Sequence, residues 1–133
     1  RQPSGISAWL EGLSIGSSVQ NAIINNATNS PIYNIVVSAV VTKGYGCDKG
    51  EMRQGVGDYR EIFALVPPGR HSFSLSLVGF WGMSAYPVLE ISFTCTDGKS
   101  WIRRGNGTLE QIDTDPFTHY GIERPCRFGI LTD

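Results

Sequence analysis

The chain has 133 residues, of which 41% are hydrophobic and 17% are charged, and its formal net charge at pH 7 is −1. This length predicts one domain, residues 1–133, that can bury a hydrophobic core without the help of disulfides or metals. The small net charge and the pI of about 6.1 argue against nucleic acid or an anionic membrane as a partner. No apolar run reaches the ~18–20 residues of a membrane-spanning helix, so we expect no direct membrane insertion by this chain.

The first residues form a lead-in segment, residues 1–14, whose conformation the pattern leaves open. Residues 4–13 can be a first strand or the end of a helix. Residues 19–24 predict a β-strand. The Asn- and Ser-rich residues 25–30 predict a turn, because short polar side chains bond to nearby backbone groups. Pro31 can begin the next strand, where its missing N–H is harmless.

The next predicted strand is long and apolar on one side. One unbroken apolar face carries Tyr33, Ile35, Val37, Ala39 and Val41. The other face, which begins at Ile32, is only partly polar. A strand of this kind is typical of the inside of a sheet.

Two further strands surround a proline turn. Residues 43–57 are rich in glycine and aperiodic, and they predict a long connection before a strand at residues 59–66. The sequence Pro-Pro-Gly at 67–69 ends that strand. Residues 70–78 then alternate between polar and apolar side chains, which predicts a strand with one face in water and His71 on the core face. Residues 79–86 predict an apolar loop.

The strongest hairpin signal is Asp97-Gly98, between a strand that ends near Cys95 and a return strand at residues 99–104. A two-residue turn would place Trp101 on the face opposite Phe93. A three-residue turn with a G1 bulge would instead place Trp101 beside Phe93 in the core.

Strands at this spacing predict an all-β fold, an antiparallel immunoglobulin-like β-sandwich of about seven strands, with a small closed β-barrel as the alternative. We expect the C-terminal tail, residues 113–133, to pack on this domain.

Several separated motifs of the chain have counterparts in one protein family. They are Arg1-Gln2 with Ile-Ser-Ala-Trp at 6–9, the Asn-turn and strand at 25–37, Leu-Val-Pro-Pro-Gly at 65–69, and the hairpin block at 91–109. In these motifs, residues 1–112 resemble an uncharacterised actinobacterial family of membrane-tethered proteins with an immunoglobulin-like β-sandwich domain. The resemblance implies a location at the cytoplasmic face of the membrane, with a tether that this chain lacks. It brings no catalytic residue.

Titratable residues are sparse and scattered. A single His on a strand, such as His71, is more often a hydrogen-bonded core residue than a catalytic base. Asp113 and Asp115 suggest a cap before Pro116 more than a calcium site, because no glycine-containing calcium loop follows them. We therefore expect no enzyme activity, no metal and no cofactor. An enzyme site built from these two aspartates and His119 is a remaining alternative.

The three cysteines, Cys47, Cys95 and Cys126, are widely spaced and form no metal-binding motif. We interpret them as thiols, with one disulfide as the alternative.

Large apolar residues beside glycines form the candidate binding surface. Apolar residues exposed in such loops are typical of interaction sites. The candidates are Phe80, Trp81, Met83, Tyr86 and Trp101. The leading hypothesis is a non-catalytic domain that binds an unknown protein partner in a membrane-anchored bacterial assembly. The alternative is a carbohydrate-binding module in which Trp81, Tyr86 and Trp101 stack on sugars.

Overall fold

A computed structural model describes residues 3–12, 14, 17–42, 59–77, 86–122 and 129–130. Within these residues the fold is a β-sandwich of two sheets. Its elements, in chain order, are β1 (Ile6–Glu11), β2 (Val19–Asn26), β3 (Ile32–Thr42), β4 (Arg60–Val66), β5 (Gly69–Ser76), β6 (Tyr86–Thr94), β7 (Ser100–Arg103), β8 (Leu109–Ile112), α1 (Pro116–His119) and β9 (Gly129–Ile130). The predicted β-sandwich is confirmed. The barrel alternative is wrong, because the strands form two separate sheets.

The smaller sheet, sheet A, has the order β1-β2-β5, and both of its pairings are antiparallel. The lead-in segment therefore contains a strand, which settles the choice between strand and helix for β1. Ile6, Ala8 and Leu10 face the core, while Ser7, Trp9 and Glu11 lie on the opposite face.

The larger sheet, sheet B, has the order β8-β7-β6-β3-β4-β9. Its pairings are antiparallel except for the short parallel contact between β4 and β9. The central position of β3, between β4 and β6, matches the apolar character of its sequence.

The core lies between the two sheets. Its side chains are almost completely removed from water, and each large one contributes roughly 1.5–3 kcal/mol through burial. The members at 0% exposure are Ile6, Ala22, Ile24, Ile35, Val37, Val66, Leu77, Ile91 and Phe93.

A β-bulge interrupts the regular alternation of β3. Asn34 has a φ of 53°, in the left-handed region, and the pairing with β6 shifts between Tyr33 and Val36. Because of this extra residue, Ile32 and Ile35 both face the core, whereas Tyr33 is only partly buried and is not part of the core cluster. The prediction of one unbroken face beginning at Tyr33 was wrong for this reason.

Two successive hairpins in sheet B use the same three-residue turn. In the first, Gly98 N donates to Cys95 O and Cys95 N donates to Lys99 O, each at 2.9 Å. In the second, Gly107 N donates to Arg104 O at 2.9 Å. Both glycines have positive φ, 84° and 93°, as the bulge position of this turn requires. The side chains of Asp97 and Asn106 each accept from the N–H two residues ahead, at 3.0 Å.

Arg103 ties the N-terminal strand to sheet B. Its Nε donates to Ile6 O at 3.0 Å, and its Nη2 donates to Ser4 O at 3.1 Å.

In the part of the chain that the structure describes, no helix is long and apolar enough to cross a membrane.

Candidate functional site

Most of the predicted binding loop lies outside the described residues. This applies to Phe80, Trp81 and Met83, and for Tyr86 only the backbone, as the first residue of β6, is described. The part of the predicted surface that the structure does locate is Trp101.

Trp101 is a core residue. The three-residue turn pairs Thr94 with Ser100, so that Trp101 lies directly opposite Phe93 on the inner face of sheet B. Only 6% of Trp101 is exposed. Of the two registers that the sequence allowed, the bulged one is therefore correct. Trp101 offers no surface to a protein or a sugar.

The outer face of sheet B is covered. Helix α1 packs on β3 and β6, and its Phe117 is 1% exposed. The outward-facing residues of the central strands are consequently buried, including Val36, Ser38, Val40, Ser92 and Ile102. The central part of this face is a second buried layer and is not open to a partner.

A polar cluster lies at the margin of this second layer. Arg104 Nη1 contacts Glu90 Oε1 at 3.0 Å, and Arg104 Nη2 contacts Glu110 Oε2 at 2.8 Å. Burial alone would lower the pKa of Arg104, but its hydrogen bonds and ion pairs with these two carboxylates raise it. The guanidinium of Arg60 lies over the ring of Tyr120, 5.1 Å from its centroid. Burial, reinforced by the charge of Glu90, raises the pKa of Tyr120 to about 12. The contact of Arg60 with Tyr120 holds the segment after α1 against the sheet, and the ion pairs of Arg104 join β6 to β8, so both have a structural role.

The outer face of sheet A, in contrast, has several exposed side chains among the described residues, and it carries Trp9. The side chain of Trp9 is partly exposed and lies beside Ile23, its direct partner on β2. The guanidinium of Arg70 lies over the indole, 5.4 Å from its centroid, and it also pairs with the carboxylate of Glu11. We call Trp9, Glu11, Ile23 and Arg70 the Trp9 patch.

The contacts that Arg70 makes with Glu11 and Trp9 are exposed to solvent and therefore weak. The side chains of Arg70 and Glu11 are 59% and 50% exposed. An exposed ion pair contributes about 0–1 kcal/mol, and an exposed cation–π contact about 0.5–1 kcal/mol. Arg70 can therefore leave the indole at small cost. Small polar side chains surround the patch on the same face: Ser7, Asn21, Asn25, Ser72 and Ser74.

The Trp9 patch was missed from sequence because residues 4–13 could also be read as a helix end. The signal was nevertheless present. In a strand, the alternation of Ile6, Ala8 and Leu10 assigns those residues to the core, and this places Trp9 with Glu11 on the wet face.

Within the part of the chain that the structure describes, His71, His119, Asp113 and Asp115 do not assemble into one site. His71 is 5% exposed, and its Nε2 lies 2.9 Å from Pro67 O, as predicted for a hydrogen-bonded core histidine. Asp115 caps α1 by accepting from Thr118 N at 2.7 Å. Asp113 and Asp115 line a groove of about 270 Å³ beside the β6–β7 turn. His119 is not part of that lining and stands edge-on against Tyr120. Among the described residues, no three His, Cys, Asp or Glu side chains gather as metal ligands.

A groove of about 540 Å³ lies at one end of the sandwich, between residues 3–6, the β2–β3 connection and the β6–β7 turn. Two of its polar lining residues, Thr28 and Ser30, bond to the buried Asn26 behind them. Asn26, which is 1% exposed, donates to Ser30 O at 2.9 Å and accepts from Thr28 Oγ1 at 2.6 Å. Cys95 is a free thiol here, and burial, together with the charge of Asp97, raises its pKa. A raised pKa makes a thiol less reactive, so Cys95 does not give this groove a reactive nucleophile.

Comparison of the chain with protein-family models, with curated proteins and with solved structures gave no match. The Trp9 patch and the covered face of sheet B must therefore be interpreted from their own chemistry.

Proposed function

We propose that this chain is a non-catalytic β-sandwich domain that binds another protein through the Trp9 patch. One observation carries the proposal: sheet B is covered on its outer face, whereas sheet A presents a partly exposed Trp beneath a displaceable Arg. Trp and Arg are enriched among residues that dominate binding energy at protein interfaces. The surrounding Ser and Asn residues suit the polar rim of such an interface.

The fold provides a rigid base for this surface. Ile23, the cross-strand partner of Trp9, is 4% exposed, and β2 is paired on both sides. The patch therefore needs little ordering when a partner binds, which lowers the entropic cost of association.

The proposal can be tested by affinity capture with the domain and two variants. Trp9→Ser removes the indole, and Arg70→Ser removes the exposed guanidinium without changing the core. Val19→Ser is the matched control, because Val19 is an exposed apolar residue (55%) on the same sheet but outside the patch. We expect a specific protein partner to be captured by the unmodified domain and by Val19→Ser, and to be lost with Trp9→Ser. Capture that is unchanged by both patch variants would refute the assignment, provided that thermal melts show folded protein.

A carbohydrate-binding module is the second candidate, and Trp9 favours it too, because it lies among Ser and Asn side chains that can bond to sugar hydroxyls. Arg70 lies over the indole, 5.4 Å from its centroid: a stacked sugar would have to displace it, whereas a protein partner can contact Arg70 and Trp9 together. We therefore prefer a protein partner. Binding on a glycan array that is lost with Trp9→Ser would reverse this preference.

Two finer proposals accompany the function. We propose that the sandwich is immunoglobulin-like, since β1, β2 and β5 lie in one sheet and β3, β6 and β7 in the other.

The membrane tether and the cytoplasmic location remain proposals that rest on the family resemblance. Fractionation of cells with an antibody against this domain tests them, and recovery of all the protein away from membranes would contradict the tether. The surface around Phe80, Trp81, Met83 and Tyr86 also stays a prediction.

A further inference from the structure

In the described part of the chain, β5 forms one edge of sheet A, and the backbone groups that point away from the sheet belong to known residues. Leu77 N donates to Ser18 O at 2.7 Å, and the register pairs Ser76 with Val19. Hydrogen-bonded and non-hydrogen-bonded pairs alternate in an antiparallel ladder. Odd-numbered residues of β5 therefore bond to β2. The outward N–H and C=O groups belong to Arg70, Ser72, Ser74 and Ser76.

The other side of β2 supports this assignment. Ala27 N donates to Gly5 O at 2.9 Å, so the odd-numbered residues of β1 bond to the odd-numbered residues of β2. This leaves the even-numbered residues of β2 for β5, as the first bond requires.

Among the described residues, the β5 edge carries little of the usual protection against strand pairing. Natural edge strands are guarded by charged side chains, especially Lys, by Pro, by a bulge or by a covering loop or helix. The eight residues of β5 contain no Lys or Pro, and the pairing of β5 with β2 is regular. Ser72, Ser74 and Ser76 are exposed, and Arg70 is engaged with Glu11. At the opposite edge, by contrast, Arg103 Nε donates a hydrogen bond to Ile6 O on β1, so this carbonyl is not free to pair with another strand.

Two partly buried phenylalanine side chains lie beside this edge. The rings of Phe73 on β5 and Phe63 on β4 meet edge-on, with their centroids 5.2 Å apart, and both side chains are only partly buried. A strand added to β5 would cover Phe73 if it carried apolar side chains toward the core. Toward the outside it would need small polar side chains. The sequence of β5 itself has this alternation, with His71, Phe73 and Leu75 on the core side.

We propose that β5 pairs antiparallel with β5 of a second copy of this chain. A two-fold axis at Phe73 places Ser72 opposite the partner's Ser74, and Arg70 opposite the partner's Ser76. Only this register brings every edge-facing residue into a hydrogen-bonded pair, since both members of each pair then have outward backbone groups. It also keeps core side chains against core side chains and creates no like-charge pair.

Such pairing would join two copies of sheet A into one continuous sheet. Both Trp9 patches would then lie on the same face, so that a partner could be bound at two sites with higher avidity. This consequence rests on the proposed function, but the dimer itself does not.

Sedimentation velocity with charge-swapped variants tests the proposal. The variant S72K/S74K places Lys opposite Lys across the axis, and S72E/S74E does the same with Glu. We expect the unmodified chain to dimerise and each variant to weaken its own dimer by at least about tenfold. A mixture of the two variants should dimerise again, because each Lys then faces a Glu. The control Gln111→Lys, at an exposed position of β8 in sheet B, should dimerise like the unmodified chain.

Several results would overturn the proposal: a monomeric unmodified chain, a dimer that persists in S72K/S74K, or a mixture of folded variants that stays monomeric. A monomeric chain that binds a strand of another protein, and that loses this binding in the variant S72K/S74K, would show that β5 pairs with another protein instead of a second copy. Trp9→Ser should leave the dimer unchanged, which separates a failure of this inference from a failure of the Trp9 patch.

Discussion

Arg104 contacts two carboxylates that differ in burial, and this difference allows a quantitative test of the cover over sheet B. Glu90 is 3% exposed and Glu110 is 34% exposed, while Arg104 itself is 15% exposed. Replacing each carboxylate by the isosteric amide, Glu90→Gln and Glu110→Gln, removes the same chemical group from the same guanidinium. Any difference in stability therefore reports the environment.

The buried contact should matter more. The amide oxygen of Gln can still accept the hydrogen bond, but it carries no charge, so Arg104 loses its buried countercharge; a charge-assisted contact is worth about 1.5–3 kcal/mol, and we expect Glu90→Gln to cost about 2 kcal/mol. The exposed carboxylate should cost less than about 1 kcal/mol. At roughly 4 °C per kcal/mol for a domain of this size, Glu90→Gln should lower Tm by about 8 °C and Glu110→Gln by no more than about 4 °C.

Urea unfolding of both variants measures these differences directly, and the double variant tests whether the two contacts are coupled through Arg104. Equal losses for the two single variants, or a larger loss for Glu110→Gln, would refute the buried ion pair beneath the segment that follows α1.

Two further predictions concern Tyr120 and the hairpin turns. The folded-state pKa of Tyr120, about 12, lies above its ordinary value of 10, so the folded chain holds this proton more tightly than the unfolded chain. The resulting stability is complete below pH 10 and is lost as the pH rises through 12; Tyr120→Phe should remove this part of the pH dependence, as measured by unfolding at several alkaline pH values. Gly98 and Gly107 have positive φ, and the space that an added methyl group would fill is open, so Gly→Ala at either position should cost about 1–2 kcal/mol through backbone strain alone. Gly98→Asn should cost less, because Asn tolerates this region, and equal melting temperatures for the Ala and Asn variants would contradict the turn assignment.

The strands of the sandwich were predictable because their apolar periodicity is local. The division of residues 70–76 into wet and core faces needs only the alternation along β5. The face occupied by Trp101 was not predictable in the same way, because one residue more or less in the turn at Gly98 reverses it. The bulge at Asn34 is a similar case, since a single residue in the left-handed region realigns Ile32 with Ile35.

The covered face of sheet B depends on contacts between distant parts of the chain. The four-residue helix α1 has no recognisable period, and Glu90, Arg104 and Tyr120 are far apart in sequence. The candidate site was missed for a related reason. Trp9 becomes a surface residue only once residues 6–11 are known to form a strand, and its importance depends on Arg70 from β5.

The most direct test of the Trp9 patch is site-specific photocrosslinking in living cells. A photoreactive amino acid at Asn21, which is exposed on the same face and pairs with Glu11, should form a covalent adduct with a partner protein. The same amino acid at Gln111, exposed on sheet B, should form no such adduct. An adduct at Gln111 and none at Asn21 would contradict the proposal that the outer face of sheet A is the binding surface.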